Sequence, residues 1–331
     1  MKGKEPILEV KDLCVDFEVR RGTVRVLNNL DIHLERGEAL GIVGESGCGK
    51  SMTALSIMRL IPEPPGNIAQ GEILLNGRNL LNLKEKEMQD IRGNEISMIF
   101  QEPMTSLNPV FTNGSQVAES IQRHQSVSRA AAKKKAIEML RLVGIPAPEQ
   151  RYAQYPHELS GGMRQRVMAA MALSCEPSIL IADEPTTALD VTIQAQIFDL
   201  LRDIQKKINT AIILITHDMG VIAEFATRIV VMYAGRKVEE GPVREVISNP
   251  RHPYTRGLIR CVPFLKKDPG TTREELNEIP GMVPSLSLLG QGCPFAMRCD
   301  YTTEQCQASF PSETTVGVNH TVMCWHTEDV K

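Results

Sequence analysis

The chain has 331 residues, enough for one large domain or one domain with an appendage, and 42% of them are hydrophobic, which supports an ordinary core and excludes wholesale disorder. Its formal net charge of -3 lacks the basic excess of a nucleic-acid binder. No window approaches the roughly 18 continuous apolar residues of a spanning helix, and Met1 to Pro6 is charged without an apolar stretch behind it, so neither an anchor nor a signal peptide is expected. The chain is therefore expected in the cytosol, where disulfides are rarely stable.

In chain order, Ile7-Leu8-Glu9-Val10 and Cys14-Val15-Asp16-Phe17-Glu18-Val19 alternate in character and predict strands between residues 7 and 40, with a turn at Arg21-Gly22. Ala39-Leu40-Gly41-Ile42-Val43 is short and apolar, as a buried strand should be. A glycine-rich turn follows, and then a helix from Ser51 to Leu60. Residues 84 to 157 are more polar and are predicted mostly helical. The clearest helix is Ser128 to Leu142, rich in Ala, Lys, Glu and Leu. Three further apolar runs, Ser178 to Ala182, Ala211 to Thr216 and Arg228 to Tyr233, predict buried parallel strands with helices between them, hence βαβ units. Near residue 250 prolines begin to crowd and periodicity fades. This places a boundary between residues 5–250 and a small domain over residues 251–331, too short to build a strong core alone and expected to be held by its cysteines.

Of eight cysteines, Cys14, Cys48, Cys175 and Cys261 are scattered, while Cys293, Cys299, Cys306 and Cys324 fall close together with the spacing C-x5-C-x6-C-x17-C. In a cytosolic chain such a group points to metal more than to disulfides. Four thiolates can hold an iron–sulfur cluster or zinc, and the spacing, without paired C-x2-C knuckles, does not decide between them. His320 and His326 lie near the chain end; His320 could stand in for a cysteine ligand but is expected to be solvated, and Trp325, the single tryptophan, is expected to pack the tail.

Gly44-Glu45-Ser46-Gly47-Cys48-Gly49-Lys50-Ser51 matches the phosphate-binding pattern G-x4-G-K-[ST], between a buried strand and a helix. Glycines let the backbone curl until successive N–H groups face phosphate oxygens. Lys50 would place its charge near the β- and γ-phosphates, Ser51 would offer a hydroxyl to Mg²⁺, and the helix start through Met52 would turn its positive end to the anion. A thiol at Cys48, beside Lys50 at a helix N-terminus, is expected to have a lowered pKa. Ile179-Leu180-Ile181-Ala182-Asp183-Glu184 reads as the partner element. The strand delivers Asp183 to its C-terminal edge to hold Mg²⁺, and Glu184 would orient or deprotonate an attacking water. The plainer alternative is two carboxylates at the start of the next helix.

Further motifs together resemble the ATP-binding cassette (ABC) family, in matching order over residues 7 to 245. Leu159-Ser160-Gly161-Gly162-Met163 resembles its signature, with Met163 in place of the usual glutamine. Gln101 in Phe100-Gln101-Glu102-Pro103 resembles the Q-loop glutamine, Ala188-Leu189-Asp190 the D-loop, and His217 in Thr216-His217-Asp218 the switch histidine. Phe17 stands where an adenine-stacking aromatic is found. The resemblance implies an α/β P-loop NTPase. It would have a mixed, largely parallel sheet core, an N-terminal antiparallel β subdomain, a helical signature subdomain over about residues 102–165 and the small cysteine-containing C-terminal domain. It implies ATP bound by residues 44 to 52 and Phe17, with Mg²⁺ at Ser51, Gln101 and Asp183. Catalysis would fall to Lys50, Glu184 and His217. Ser160, Gly161 and Gly162 would meet the γ-phosphate held by an opposite subunit.

His252-Pro253-Tyr254-Thr255, Ile279-Pro280-Gly281 and Cys293-Pro294 to Arg298-Cys299 resemble the C-terminal region of oligopeptide and dipeptide importer ATPases. That likeness implies a [4Fe–4S] cluster on Cys293, Cys299, Cys306 and Cys324 ahead of Zn²⁺. It also implies a peripheral subunit on the cytoplasmic face of a bacterial membrane that hydrolyses ATP to drive uptake of di- or oligopeptides. Its partners would be a second ATPase, favoured to be a related chain, two permease subunits and an extracytoplasmic solute-binding protein, with no nucleic acid. The alternatives are a nickel or metallophore importer, a soluble ABC-type ATPase acting on nucleic acid or ribosomes, and a redox-sensing scaffold.

Overall fold

A computed structural model describes residues 5–20, 22–101, 106–186, 191–262 and 278–330. They divide into two compact units. One contains the chain up to Ile7, Leu34–Ala39 and Asn79–Ile215; the other contains Leu8–His33, Leu40–Arg78 and Thr216–Lys331.

The core of the first unit is three parallel strands, Ile96–Ile99, Ile179–Asp183 and Ala211–Ile215, with Ile179–Asp183 in the middle. Every residue of the three is buried, which is why their sequences read as apolar runs rather than as alternating ones. Ile96–Ile99 differs from the helical reading of residues 84–157; at four residues inside a polar stretch it is too short for periodicity to reveal. Helices Asn113–His124, Arg129–Leu142, Pro148–Tyr152 and Gly161–Leu173 follow their local signals. Ser128 caps the second of these, its hydroxyl accepting from the Ala131 N–H at 3.3 Å, and Ala132, Ala136 and Leu140 at four-residue spacing form its buried stripe. The buried Asn113 ties the chain together by donating to the Gln154 carbonyl at 2.6 Å.

The second unit holds two sheets. In the N-terminal sheet Leu8–Val19 lies between Gly22–Leu34 and Gly66–Leu75, antiparallel to the latter with Phe17 opposite Gly66. The two alternating runs of the sequence are one strand with a register shift between Lys11 and Cys14, where Asp12 takes φ 47°. The bulge resets the alternation, so Leu8 and Val10 before it and Leu13 and Val15 after it all face inward. The second sheet runs in the order Thr314–Gly317, His320–Val322, Arg236–Pro242, Arg228–Tyr233, Ala39–Val43. Ala39–Val43 is parallel to Arg228–Tyr233, and the other pairings are antiparallel.

The last strands of the chain thus continue the sheet that carries the phosphate loop. Glu239 pairs with Val322, and below them lie buried charges. Glu240 is bonded to Arg228 and, at 2.6 Å, to Lys237. Glu239 accepts from the backbone N–H groups of Arg251 (2.7 Å) and His252 (2.9 Å) and shares a 2.8 Å bond with His320 Nε2. His320 is therefore a buried strut and not the solvated histidine expected. Sheet pairing and buried ion pairs hold the tail. Among the described residues, no helix is long and apolar enough to cross a membrane.

Candidate nucleotide site

In the second unit the strand Ala39–Val43 delivers the chain to Gly44, and the helix Lys50–Ile57 begins six residues later. The turn between them requires glycine. Gly44 has φ 153°, and a Cβ there would stand 2.2 Å from the Met232 carbonyl oxygen; Gly49, at φ 100°, would press a Cβ to 2.7 Å from Leu27. Lys50 is 5% exposed. Its ammonium donates to the carbonyls of Gly44 (2.8 Å) and Glu45 (3.1 Å), so it folds back across the loop it serves. Cys48 departs from expectation. It is fully buried, 3.9 Å from Lys50 Nζ, and burial pushes its thiol up against the pull of Lys50. A helix N-terminus and a nearby cation are outweighed by loss of water.

Phe17 is half-buried, its ring packed over Gly66, where a Cβ would come within 2.8 Å of it. His217 is exposed between two anchors: the Thr216 N–H donates to the Ile42 carbonyl at 3.2 Å, and Asp218 caps the helix Met219–Phe225 by accepting from Gly220 and Val221.

The loop is also braced by residues that motif reading missed. The Glu45 N–H donates to the Tyr254 hydroxyl at 2.7 Å, and the Glu45 carboxylate takes a forked pair of bonds from Arg298 at 2.7 and 3.1 Å. Both partners belong to the C-terminal region. They lie 209 and 253 positions from Glu45, so no local pattern announces the contact.

In the first unit the strand Ile179–Asp183 places Asp183, 4% exposed, at its C-terminal end. Glu184 follows in the left-handed region at φ 44°, its N–H donating to Ile215 O at 2.9 Å. Such a conformation in a non-glycine residue costs of order 1–3 kcal/mol and fixes where the side chain leaves the backbone. Gln101 Nε2 donates to Glu184 Oε2 at 3.0 Å, bringing two expected site residues together. The buried Gln165, on the helix Gly161–Leu173, is bonded to the Pro185 carbonyl next to Glu184. Ser160 caps that helix by accepting from the Met163 N–H at 3.4 Å, and Ser160 and Gly161 are exposed. The D-loop Ala188-Leu189-Asp190 and the Glu102-Pro103 of the Q-loop lie outside the described residues.

Cys293, Cys299, Cys306 and Cys324 line one cavity, with His252, Phe295, Trp325 and His326 among its other walls. The Cys293 N–H donates to the Cys306 carbonyl at 2.7 Å, and Gly292 passes so close that a Cβ would meet Gln307 O at 2.3 Å. All four thiols are free. Burial pushes Cys293 up to about 11 and Cys324 up to about 12. Among the described residues no group of three or more His, Cys, Asp or Glu side chains is arranged to hold a metal ion. The sulfurs therefore share a cavity without forming a ligand shell. Trp325 is partly exposed and donates to the Ser309 carbonyl at 3.3 Å.

A strand, a glycine turn around a lysine and a helix, together with a parallel strand that ends at Asp183 and is followed by Glu184, are the elements of a P-loop nucleoside triphosphatase. An ABC transporter family model matches residues 27–187, and one for the oligopeptide/dipeptide transporter C-terminal region matches residues 238–306. The oligopeptide transport ATP-binding protein OppD of Bacillus subtilis is 53% identical over 96% of this chain and 88% of its own length. The dipeptide transport ATP-binding protein DppD of the same organism is 50% identical over 97% of this chain and 95% of its own. The dimeric ATP-binding cassette MJ0796, bound to ADP and Pi after hydrolysis, is 28% identical with a TM-score of 0.65, covering 72% of this chain and 99% of that one. The chain belongs to the ABC transporter ATP-binding family and carries the C-terminal region of its oligopeptide/dipeptide branch.

Proposed function

We propose that this chain is the ATP-hydrolysing subunit of an importer that takes up di- and oligopeptides, seated peripherally on the cytoplasmic face of the membrane. The observation that carries this reading is one chain holding both a phosphate loop braced by Lys50 and the C-terminal region of the oligopeptide/dipeptide branch. Relatives at 50–53% identity over nearly the whole chain are named for oligopeptide and dipeptide transport. The partners are two permease subunits, an extracytoplasmic solute-binding protein and a second ATPase subunit of related sequence.

ATP lies on residues 44 to 52, its adenine against Phe17. Lys50 exchanges its two loop carbonyls for β- and γ-phosphate oxygens. Ser51, Gln101 and Asp183 are the residues that would hold Mg²⁺, which neutralises phosphate charge when bound. Glu184 polarises the attacking water, with Gln101 holding its carboxylate until nucleotide arrives, and His217 meets the γ-phosphate. The helix start at Ser160, Gly161 and Gly162, exposed at its first two residues, serves the nucleotide held by the second subunit, so ATP joins the dimer and hydrolysis releases it. Cys293, Cys299, Cys306 and Cys324, which line one cavity, are the soft donors that would hold a [4Fe–4S] cluster, or Zn²⁺ in its place, once their sulfurs converge from the present arrangement, in which they form no ligand shell.

The test is co-purification without oxygen from cells expressing the whole transporter, followed by iron, sulfide and zinc analysis and ATPase assays with a peptide panel. Peptide-stimulated turnover is expected. Stimulation by nickel chelates alone would move the chain to another branch, and recovery without iron or zinc would remove the metal from the cysteine cavity.

A further inference from the structure

Within the phosphate loop one residue runs against the chemistry of the site. Glu45, between Gly44 and Ser46, is an acid in a loop built to attract a polyanion, and an uncompensated carboxylate there would repel triphosphate. The C-terminal region answers that charge. Arg298 meets both Glu45 carboxylate oxygens, at 2.7 and 3.1 Å. Its other N–H groups reach the carbonyls of Pro280 (2.9 Å) and Ile279 (3.0 Å) and the Tyr233 hydroxyl (3.2 Å). The guanidinium side chain is 4% exposed, and a fork held at this many points is preorganised.

The segment that carries it is held too. Phe295 packs edge-on to Tyr233, with ring centres 5.2 Å apart, and lies 5.4 Å from the Tyr254 ring. Tyr254 meanwhile takes the Glu45 N–H at 2.7 Å. Backbone and side chain of Glu45 are therefore both engaged by the C-terminal region.

We infer that Arg298 is a positioning residue for nucleotide binding: it neutralises Glu45 and turns it away from the phosphate path, so that the C-terminal region of each chain sets the ATP affinity of its own phosphate loop. This rests on residues 44 to 51 being the nucleotide site. It assigns the tail a task in the ATP cycle that is separate from any metal its cysteines hold.

The test measures dissociation constants of a fluorescent ATP analogue on the full-length chain, and KM and kcat on the assembled transporter. The variants are Arg298→Ala, Arg298→Lys, Glu45→Gln and the double variant Glu45→Gln/Arg298→Ala, with near-UV circular dichroism to confirm folding. Arg298→Ala is expected to weaken ATP binding by about tenfold, with kcat at saturating ATP nearly unchanged. Arg298→Lys, which keeps the charge but not the fork, should fall between it and wild type. Glu45→Gln, which removes the carboxylate from the loop, is the reference against which the double variant is read. The double variant should bind more tightly than Arg298→Ala, because the stranded carboxylate is gone. Wild-type affinity in Arg298→Ala, or a double variant no better than Arg298→Ala, would overturn the inference. Should Arg298→Ala not fold, Arg298→Lys decides: weaker ATP binding than wild type supports the inference, and wild-type affinity overturns it. If Lys50→Ala also binds ATP normally, it is the phosphate-site assignment that fails.

Discussion

The two halves of the nucleotide machinery are built in opposite ways. The phosphate loop is finished from within its own chain. Lys50 is buried against loop carbonyls, Gly44 and Gly49 are pressed against their neighbours, and Glu45 is fixed by Tyr254 and Arg298. The first unit leaves its chemistry open. Ser160 and Gly161 face solvent, Gln101 is exposed, and the Glu184 carboxylate is held by Gln101 through an amide that can let go. A cradle must exist before ligand arrives, since ordering it afterwards would subtract from affinity. On the proposed reading, a signature surface that serves another subunit's γ-phosphate has to stay accessible. Preorganisation on one side and incompleteness on the other is what a cycle of closing and opening requires.

Substitutions on the two sides should therefore fail differently. The largest effect is expected on the open side. Glu184→Gln should lower ATP hydrolysis by about 10²–10⁴-fold while leaving ATP affinity near wild type, read by phosphate release and by analogue titration; matched losses in both would place Glu184 in binding. On the closed side Lys50→Ala should weaken ATP binding by about 10–100-fold, the worth of one charge-assisted contact, as followed by calorimetry. An unchanged dissociation constant would deny it the phosphate.

On the same closed side, Gly44→Ala must force a Cβ toward the Met232 carbonyl in a backbone conformation that side chains avoid. We expect a loss of about 2–4 kcal/mol in denaturant unfolding, whereas the exposed Gly161→Ala, with nothing near its Cβ, should stay within about 0.5 kcal/mol. Equal costs would erase the contrast between the two sides.

The smallest effect concerns pH. Burial depresses His252 to about 4, against an opposing pull from the Glu239 carboxylate that accepts its N–H. A histidine depressed in the folded state binds its proton first in the unfolded chain. Its contribution is thus intact above the unfolded value near 6.5 and is lost as pH falls from there towards 4. Between pH 7 and 5 this removes about 2 kcal/mol of stability. His252→Asn keeps a capping acceptor for Tyr254 N–H but does not titrate, so its stability should be flatter over that range; the same slope in both proteins would assign the acid sensitivity elsewhere.

Much of this was readable in advance, for identifiable reasons. Ala39–Val43 and Arg228–Tyr233 announce themselves because strands buried on both faces are unbroken apolar runs. Lys50 and the glycines of its loop are legible because one backbone shape demands them at fixed spacing. Four features were hidden. The Asp12 bulge that joins two alternating runs is a backbone event without a composition signal. The hairpin ending in His320–Val322 gains its place from pairing with Arg236–Pro242, far away in sequence. The lowered thiol pKa expected of Cys48 is reversed because a local rule about charge is overruled by burial, which only the fold sets. Arg298, in sequence simply the residue before Cys299, meets Glu45 only once the C-terminal region packs beside the loop.

The most direct measurement is a cryo-EM map of the assembled transporter carrying Glu184→Gln and trapped with ATP and Mg²⁺. It should show the triphosphate on residues 44 to 51 of one ATPase subunit, with the helix start at residues 160 to 162 of the opposite ATPase subunit on the same γ-phosphate. A bound triphosphate that no signature residue of the second subunit approaches would contradict the account.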